Sequence, residues 1–161
     1  MNFQYLYTSF DGRINRKPFW IAGIILAVAS VIINILLGAL FGGSVIAAIL
    51  ALLVMLAFLY PSLALTVKRL HDRNKPGSYA AIFYAPSVLY GVCEVLGLTG
   101  TPTMVGDQTV MMPNTFGWLL MLLMLAVAIW ALVELGFLRG TAGQNGYGPD
   151  PLGGEPAAVA A

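Results

Sequence analysis

Charge is what this sequence has least of. Only 9% of its 161 residues are Asp, Glu, Lys or Arg, against about 25% in a typical soluble domain. So few charges cannot cover a water-soluble globule of this length, and the 59% apolar content calls for lipid as the solvent. Cysteine and histidine are nearly missing too, with Cys93 and His71 the sole examples. One cysteine excludes an internal disulfide framework, and the pair cannot assemble a zinc or iron–sulfur ligand set. No Gly-x-Ser-x-Gly, phosphate loop, dinucleotide fingerprint or metal-binding histidine pair occurs. The sequence therefore gives no positive sign of an enzyme, and no cofactor is expected. A net charge of +1 likewise points to no nucleic acid or other polyanionic partner.

What the sequence has in excess is long apolar runs. Residues 19–41 and 44–67 carry no charged side chain, residues 79–98 carry only Glu94, and residues 116–138 only Glu134. At about 1.5 Å of rise per residue, runs of this length reach across a hydrocarbon core of about 30 Å with some tilt. Lipid offers no partner to free backbone N–H and C=O groups, so all four are expected to be helices. The first run is too long for a signal-peptide core and lacks a small-residue cleavage pattern, so it reads as an uncleaved span. The expected architecture is all-α: a polytopic transmembrane four-helix bundle occupying residues 1–151, followed by a disordered tail, residues 152–161. The short Gly42-Gly43 connector makes the first two spans an antiparallel hairpin.

Basic residues set the threading. Arg13, Arg16 and Lys17 precede the first run, Lys68, Arg69, Arg73 and Lys75 separate the second from the third, and Arg139 follows the fourth. Gly42-Gly43 and residues 99–115 hold no Lys or Arg. All eight cations thus fall on one side, which the positive-inside rule assigns to the cytoplasm together with both chain ends. Ahead of them, Phe3, Leu6, Tyr7 and Phe10 recur at helical spacing in a segment too short to span. Such a stripe suits a short helix lying in the cytoplasmic interface, ended by Asp11-Gly12.

Three motifs flank the runs. Residues 10–20 read Phe-Asp-Gly-Arg-Ile-Asn-Arg-Lys-Pro-Phe-Trp, residues 67–72 read Val-Lys-Arg-Leu-His-Asp, and residues 140–151 read Gly-Thr-Ala-Gly-Gln-Asn-Gly-Tyr-Gly-Pro-Asp-Pro. In this order around four apolar runs they resemble domain of unknown function 805, a family of small bacterial inner-membrane proteins. The resemblance runs from about Phe10 to Pro151. It implies an inner-membrane location and no established activity.

Every motif lies at the expected cytoplasmic boundary. If the second helix continues past Val67, Asp72 falls within ion-pair reach of Arg69 and Lys68 on one helix face. One reading makes this cluster an anchor of snorkelling cations and a local salt bridge. The other is a docked tail, in which Asp150 pairs with Arg69 or Arg13 and Asn145 and Tyr147 fold over the mouth of the bundle. The candidate cytoplasmic face is therefore Arg13, Arg16, Arg69, His71, Asp72, Asn145 and Asp150. Its expected partners are anionic lipid headgroups or a membrane or cytoplasmic protein.

Intramembrane carboxylates are by default candidates for an ion or proton path. Glu94 and Glu134 lie near opposite ends of their spans, so they cannot form a catalytic pair. Both read better as structural: Glu94 bonded to Asn34 across helices, Glu134 paired with Arg139 or the inner basic loop. A transporter or channel built on these groups would require a homo-oligomer, because four helices alone enclose little aqueous space.

Overall fold

The computed structural model describes residues 1–42 and 44–153. Gly43 of the connector and all but Leu152 and Gly153 of the expected tail, residues 152–161, lie outside the described residues. The chain is mostly helical: α1 (Phe3–Thr8), α2 (Arg16–Phe41), α3 (Val45–Asp72), α4 (Ala80–Val95) and α5 (Thr115–Ala131). A 3-10 turn, Gly77–Tyr79, leads into α4, and a π-helical turn, Leu132–Phe137, extends α5. Helix α2 packs on α3, α3 on α4 and α4 on α5, and the π-turn returns to α2.

Helix starts are set by side-chain caps that satisfy otherwise free N–H groups. Asn15 accepts from the Lys17 amide at 3.1 Å, Ser44 from Ala47 at 3.3 Å and Asn114 from Gly117 at 2.9 Å. The Asn15 cap starts α2 three residues before the apolar run, with Pro18 in the first turn, where its missing N–H costs nothing. At its far end α3 runs on through Lys68 and Arg69 to Asp72. It closes in a Schellman motif, with Lys75 N–H on Leu70 O and Asn74 N–H on His71 O, both at 2.9 Å. Asn74 takes the left-handed φ of 56° that this closure requires.

Among the described residues, three helices are long and apolar enough to cross a membrane: Arg16–Phe41, Val45–Asp72 and Thr115–Phe137, with mean hydropathies of 2.8, 2.5 and 2.5. Their outward faces carry large apolar side chains, among them Ile32, Ile35, Leu40, Leu53 and Leu122, each more than half exposed. The third expected run, 79–98, forms a helix of only 16 residues, about 24 Å at the usual rise.

The all-α expectation needs correction between α4 and α5. Gly100–Val105 and Gln108–Pro113 form an antiparallel hairpin closed by Gly106-Asp107, with Gly106 at φ 63°. Thr101, Thr103 and Val105 at alternate positions before a Gly-Asp pair, with Thr109 and Val110 after it, make a hairpin signature that a reading by charge alone passes over. The hairpin is clamped at its base: Asn114 donates its amide N–H to Thr99 O at 3.0 Å and its side-chain Nδ2 to Leu98 O at 2.9 Å.

The amino-terminal helix is shorter than its stripe suggests. It stops at Thr8, and Phe10 lies beyond it, edge-on to Tyr60 of α3 at 5.3 Å. Rather than standing alone, α1 packs on α3, with Leu6 buried in a cluster with Ile14, Ala22 and Leu65. A second cluster, Leu70, Ala80 and Leu135, sits beside it at the same end of the molecule.

Candidate functional site

Asp72 organises the end of the molecule where the three motifs lie. Its Oδ1 accepts from Arg13 Nε at 3.2 Å and Nη2 at 3.0 Å, and its Oδ2 accepts from Arg69 Nη1. Asp72 is 3% exposed, Arg13 7% and Arg69 0%, so two cations and one anion are held out of solvent together. One carboxylate cannot balance two guanidiniums. Backbone carbonyls make up the difference: Arg13 donates to Gly143 O at 2.7 Å, Gly148 O at 3.2 Å and Thr141 O at 2.6 Å. Arg69 donates Nε to Leu135 O at 2.7 Å and Nη2 to Leu138 O. Guanidinium forks suit such multiple acceptors, and full pairing is what makes a buried charge cluster tolerable. Among the described residues no buried side-chain polar atom lacks a partner.

Each motif supplies one part. From the segment before α2 comes Arg13, on a loop fixed by the Ile14 amide on Lys68 O at 3.4 Å. From α3 come Lys68, Arg69, His71 and Asp72. Lys68 turns away from Asp72; it donates to Tyr5 O and Leu6 O, capping α1, and its Nζ lies 4.4 Å from the Tyr5 ring centroid. The segment after α5 wraps over both. Thr141 N–H and Oγ1 donate to Asp72 O at 2.8 and 3.0 Å, and Asn145 Nδ2 donates to His71 O at 2.9 Å. The His71 ring stacks on Tyr147 at 3.9 Å and 5°, and its Nδ1–H donates to Gly12 O at 3.2 Å. Gly140 passes so close that a Cβ there would sit 2.0 Å from Asp72 Oδ2.

The tail therefore docks, but not through the expected ion pair. Asp150 reaches neither Arg13 nor Arg69; its carboxylate accepts from Gly143 N–H at 3.0 Å and Leu152 N–H at 2.9 Å. Those two amides hold its carboxyl below the usual range. Arg13 prefers the tail's carbonyls because Asp72 already occupies its other edge. Sequence reasoning also missed Gly140 and Thr141, whose work is done by the lack of a side chain and by the main chain. The Gly-Thr pair opening the third motif was the one available signal.

The π-turn supplies the remaining wall. In it and just beyond, four consecutive carbonyls are presented outward. Leu135 O and Leu138 O take Arg69, Gly136 O takes Trp20 Nε1 at 3.2 Å, and Phe137 O takes Arg16 Nη1 at 3.1 Å. A helix's last carbonyls need such partners, and widening to a π-turn spreads them to face α2 and α3. Gly136 is required where the Trp20 ring would lie 2.8 Å from a Cβ. Glu134 is buried here and pairs with Arg73 at 3.1 Å and Lys75 at 2.8 Å. The inner loop is its partner, and Arg139 is not.

At the opposite end the expected Asn34–Glu94 bond is not formed. Asn34 Nδ2 donates to Ser30 O on its own helix at 2.8 Å. Both residues instead line a cavity of about 460 Å³ between α2, α3, α4 and the hairpin, with Ser44, Tyr90 and Thr99. An intrahelical acceptor four residues away costs Asn34 no ordering, so it wins over a partner on another helix. Among the described residues, no group of three or more His, Cys, Asp or Glu is placed to hold a metal.

Long apolar helices, lipid-compatible outer faces and a polar assembly confined to one end define a helical integral membrane protein. The match extends to a family: the chain belongs to "Protein of unknown function (DUF805)", which it matches over residues 7–149. It is 28% identical to "Inner membrane protein YhaI" of Escherichia coli strain K12, over 90% of this chain and 87% of that protein. It is also 30% identical to "Uncharacterized protein YiiR" of the same strain, over 93% and 90%. No solved structure matches. The chain is thus an inner-membrane protein of a family without assigned activity.

Proposed function

We propose that this protein crosses the bacterial inner membrane four times, keeps both ends in the cytoplasm, and works without catalysis as a binding or scaffolding protein. Helix α4 with its preceding 3-10 turn is the third crossing in chain order, shortened because the hairpin occupies the outer surface. The basic residues cluster at the motif end, which supports placing that end in the cytoplasm. A reporter fused after Gly153 tests this: activity only in a cytoplasmic format is expected, and activity only in an exported format overturns it.

One observation carries the binding reading. Arg13, Arg69 and Asp72 are wholly engaged with one another and with main-chain carbonyls. They build a platform and leave no reactive group exposed. Recognition then falls to the exposed rim, where Arg16, Lys17 and Arg139 make no ion pair among the described residues. Crosslinking from the cytoplasmic face of native membranes is expected to capture a protein or lipid partner, and capture is expected to fall when the rim is neutralised. Capture that ignores the rim overturns the reading.

A second reading, a small oligomeric transporter or channel, draws on the hairpin-end cavity lined by the carboxylate Glu94, which makes no ion pair among the described residues. Proton flux into proteoliposomes that is lost in Glu94→Gln or Glu134→Gln would favour it over scaffolding.

A further inference from the structure

Helices α2 and α5 meet at the π-turn and diverge beyond it. The space left is a crevice of about 450 Å³, walled by Gly23, Ala27 and Ser30 of α2 and by Ala128 and Ala131 of α5. Its α2 wall runs from Phe19 to Ser30, roughly 16 Å of helix, a long narrow shape. Most polar groups inside already have partners: the Thr66 and Tyr84 hydroxyls lie 2.8 Å apart, Tyr84 donates to Ser62 O at 3.1 Å and Ser30 Oγ donates to Ala27 O at 2.9 Å. The lining is otherwise apolar, with Phe19, Leu26, Phe58, Leu65, Phe83 and Leu135 among its residues.

Arg16, Trp20, Gly23, Ala27 and Ser30 recur at i, i+4, i+7, i+11 and i+14, so they form a single face of α2 headed by a cation. Arg16 also lines a small notch of about 20 Å³ at the end of the bundle, together with Arg139, Asn15 and Thr141. Two carboxylates border that notch, Asp72 and Asp150. The first is neutralised by Arg13 and Arg69, the second is held by the Gly143 and Leu152 amides. The Arg16–Phe137 and Trp20–Gly136 hydrogen bonds join α2 to the π-turn beside both, with the Trp20 and Phe137 rings edge-on at 6.1 Å.

We propose that this end of the protein holds one anionic phospholipid, its phosphate at Arg16 and Arg139 and one acyl chain in the crevice between α2 and α5. The inference rests on the reading above that the motif end lies at a headgroup layer. The fit is by charge and by shape. Two guanidiniums that make no ion pair among the described residues face the headgroup level, with Asp150 bonded to tail amides beside them, and an apolar slot of chain-like length opens below where only lipid is solvent. A zwitterionic headgroup brings its own ammonium to the same place and is repelled by the pair.

Native mass spectrometry of the delipidated, detergent-solubilised full chain tests this with phosphatidylglycerol and phosphatidylcholine as probes. A single phosphatidylglycerol adduct is expected, with phosphatidylcholine bound several-fold more weakly. Arg16→Gln and Arg139→Gln are each expected to weaken the phosphatidylglycerol adduct about fivefold and to leave phosphatidylcholine unchanged, a ratio that a merely structural role would not move. Gly23→Leu with Ala27→Leu fills the crevice and is expected to lower binding of both lipids, with an undiminished melting temperature showing that the fold is intact. Equal binding of the two lipids in the parent protein overturns the proposal, as does full phosphatidylglycerol binding in the filled variant. The measurement is made in detergent, so a reporter that places the motif end outside would sink the orientation and leave this result standing.

Discussion

The two ends of the molecule handle polar groups in opposite ways. At the motif end Arg13, Arg69, Asp72 and Glu134 are buried and every one is paired. At the hairpin end Glu94 and Asn34 stay exposed on the wall of an open cavity, and no ion pair forms among the described residues. The contrast teaches where the fold is fixed. Among the described residues the core clusters sit at the motif end, and there the apolar contacts are tied to a charge cluster whose parts come from three distant stretches of chain. Loss of one partner in such a cluster strands the others without solvent, whereas loss of an exposed group strands nothing.

The largest test of this comparison is Asp72→Ala. It leaves two buried guanidiniums without their anion and is expected to cost about 3–5 kcal/mol, read as a large drop in thermal stability of the solubilised protein. If this variant melts with the parent, the motif end is not the fixed end. Next comes Gly140→Ala, whose added methyl meets the Asp72 carboxylate; overpacking of this kind costs about 1–3 kcal/mol, and limited proteolysis is expected to show the tail released.

A smaller effect is expected from acid. The Asp150 carboxyl lies below its ordinary 3.8 because two tail amides bond the ionised form. A depressed folded value means that the stabilisation is present above 3.8 and lost as pH falls through the lower, folded value. The Gly143 and Leu152 amide resonances should titrate together with a midpoint under 3.8; a midpoint at or above it contradicts the docked turn. The smallest change is expected for Glu94→Gln, within about 0.5 kcal/mol of the parent. A large loss of thermal stability there would erase the asymmetry between the two ends.

Much of this was legible beforehand, and the physical reason differs from part to part. The apolar runs announced α2, α3 and α5 because lipid tolerates so few other residues across that length. The hairpin was missed because absence of charge marks a loop and a strand equally, and only the Gly106-Asp107 turn with its flanking alternation separates them. The residues of the polar assembly could be named from the motifs, and its wiring could not. Asp150 and Arg13 looked like natural partners by charge, but Asp72 lies closer to Arg13 in space and the tail answers with carbonyls, which every residue type carries. Asn34 and Glu94 likewise looked like partners by depth alone, and a carbonyl one turn away took the amide instead.

The π-turn has a consequence for how such proteins diverge. Arg16, Trp20 and Arg69 grip Leu135, Gly136, Phe137 and Leu138 by their peptide oxygens, groups that no substitution other than a change of backbone path can remove. The identity of the side chain at 138 is thereby set loose from the anchor, so descendants can drift there and keep the clasp, while Leu135 stays tied by its packing with Leu70 and Ala80 and Phe137 by the Trp20 ring. The three gripping residues have no such freedom.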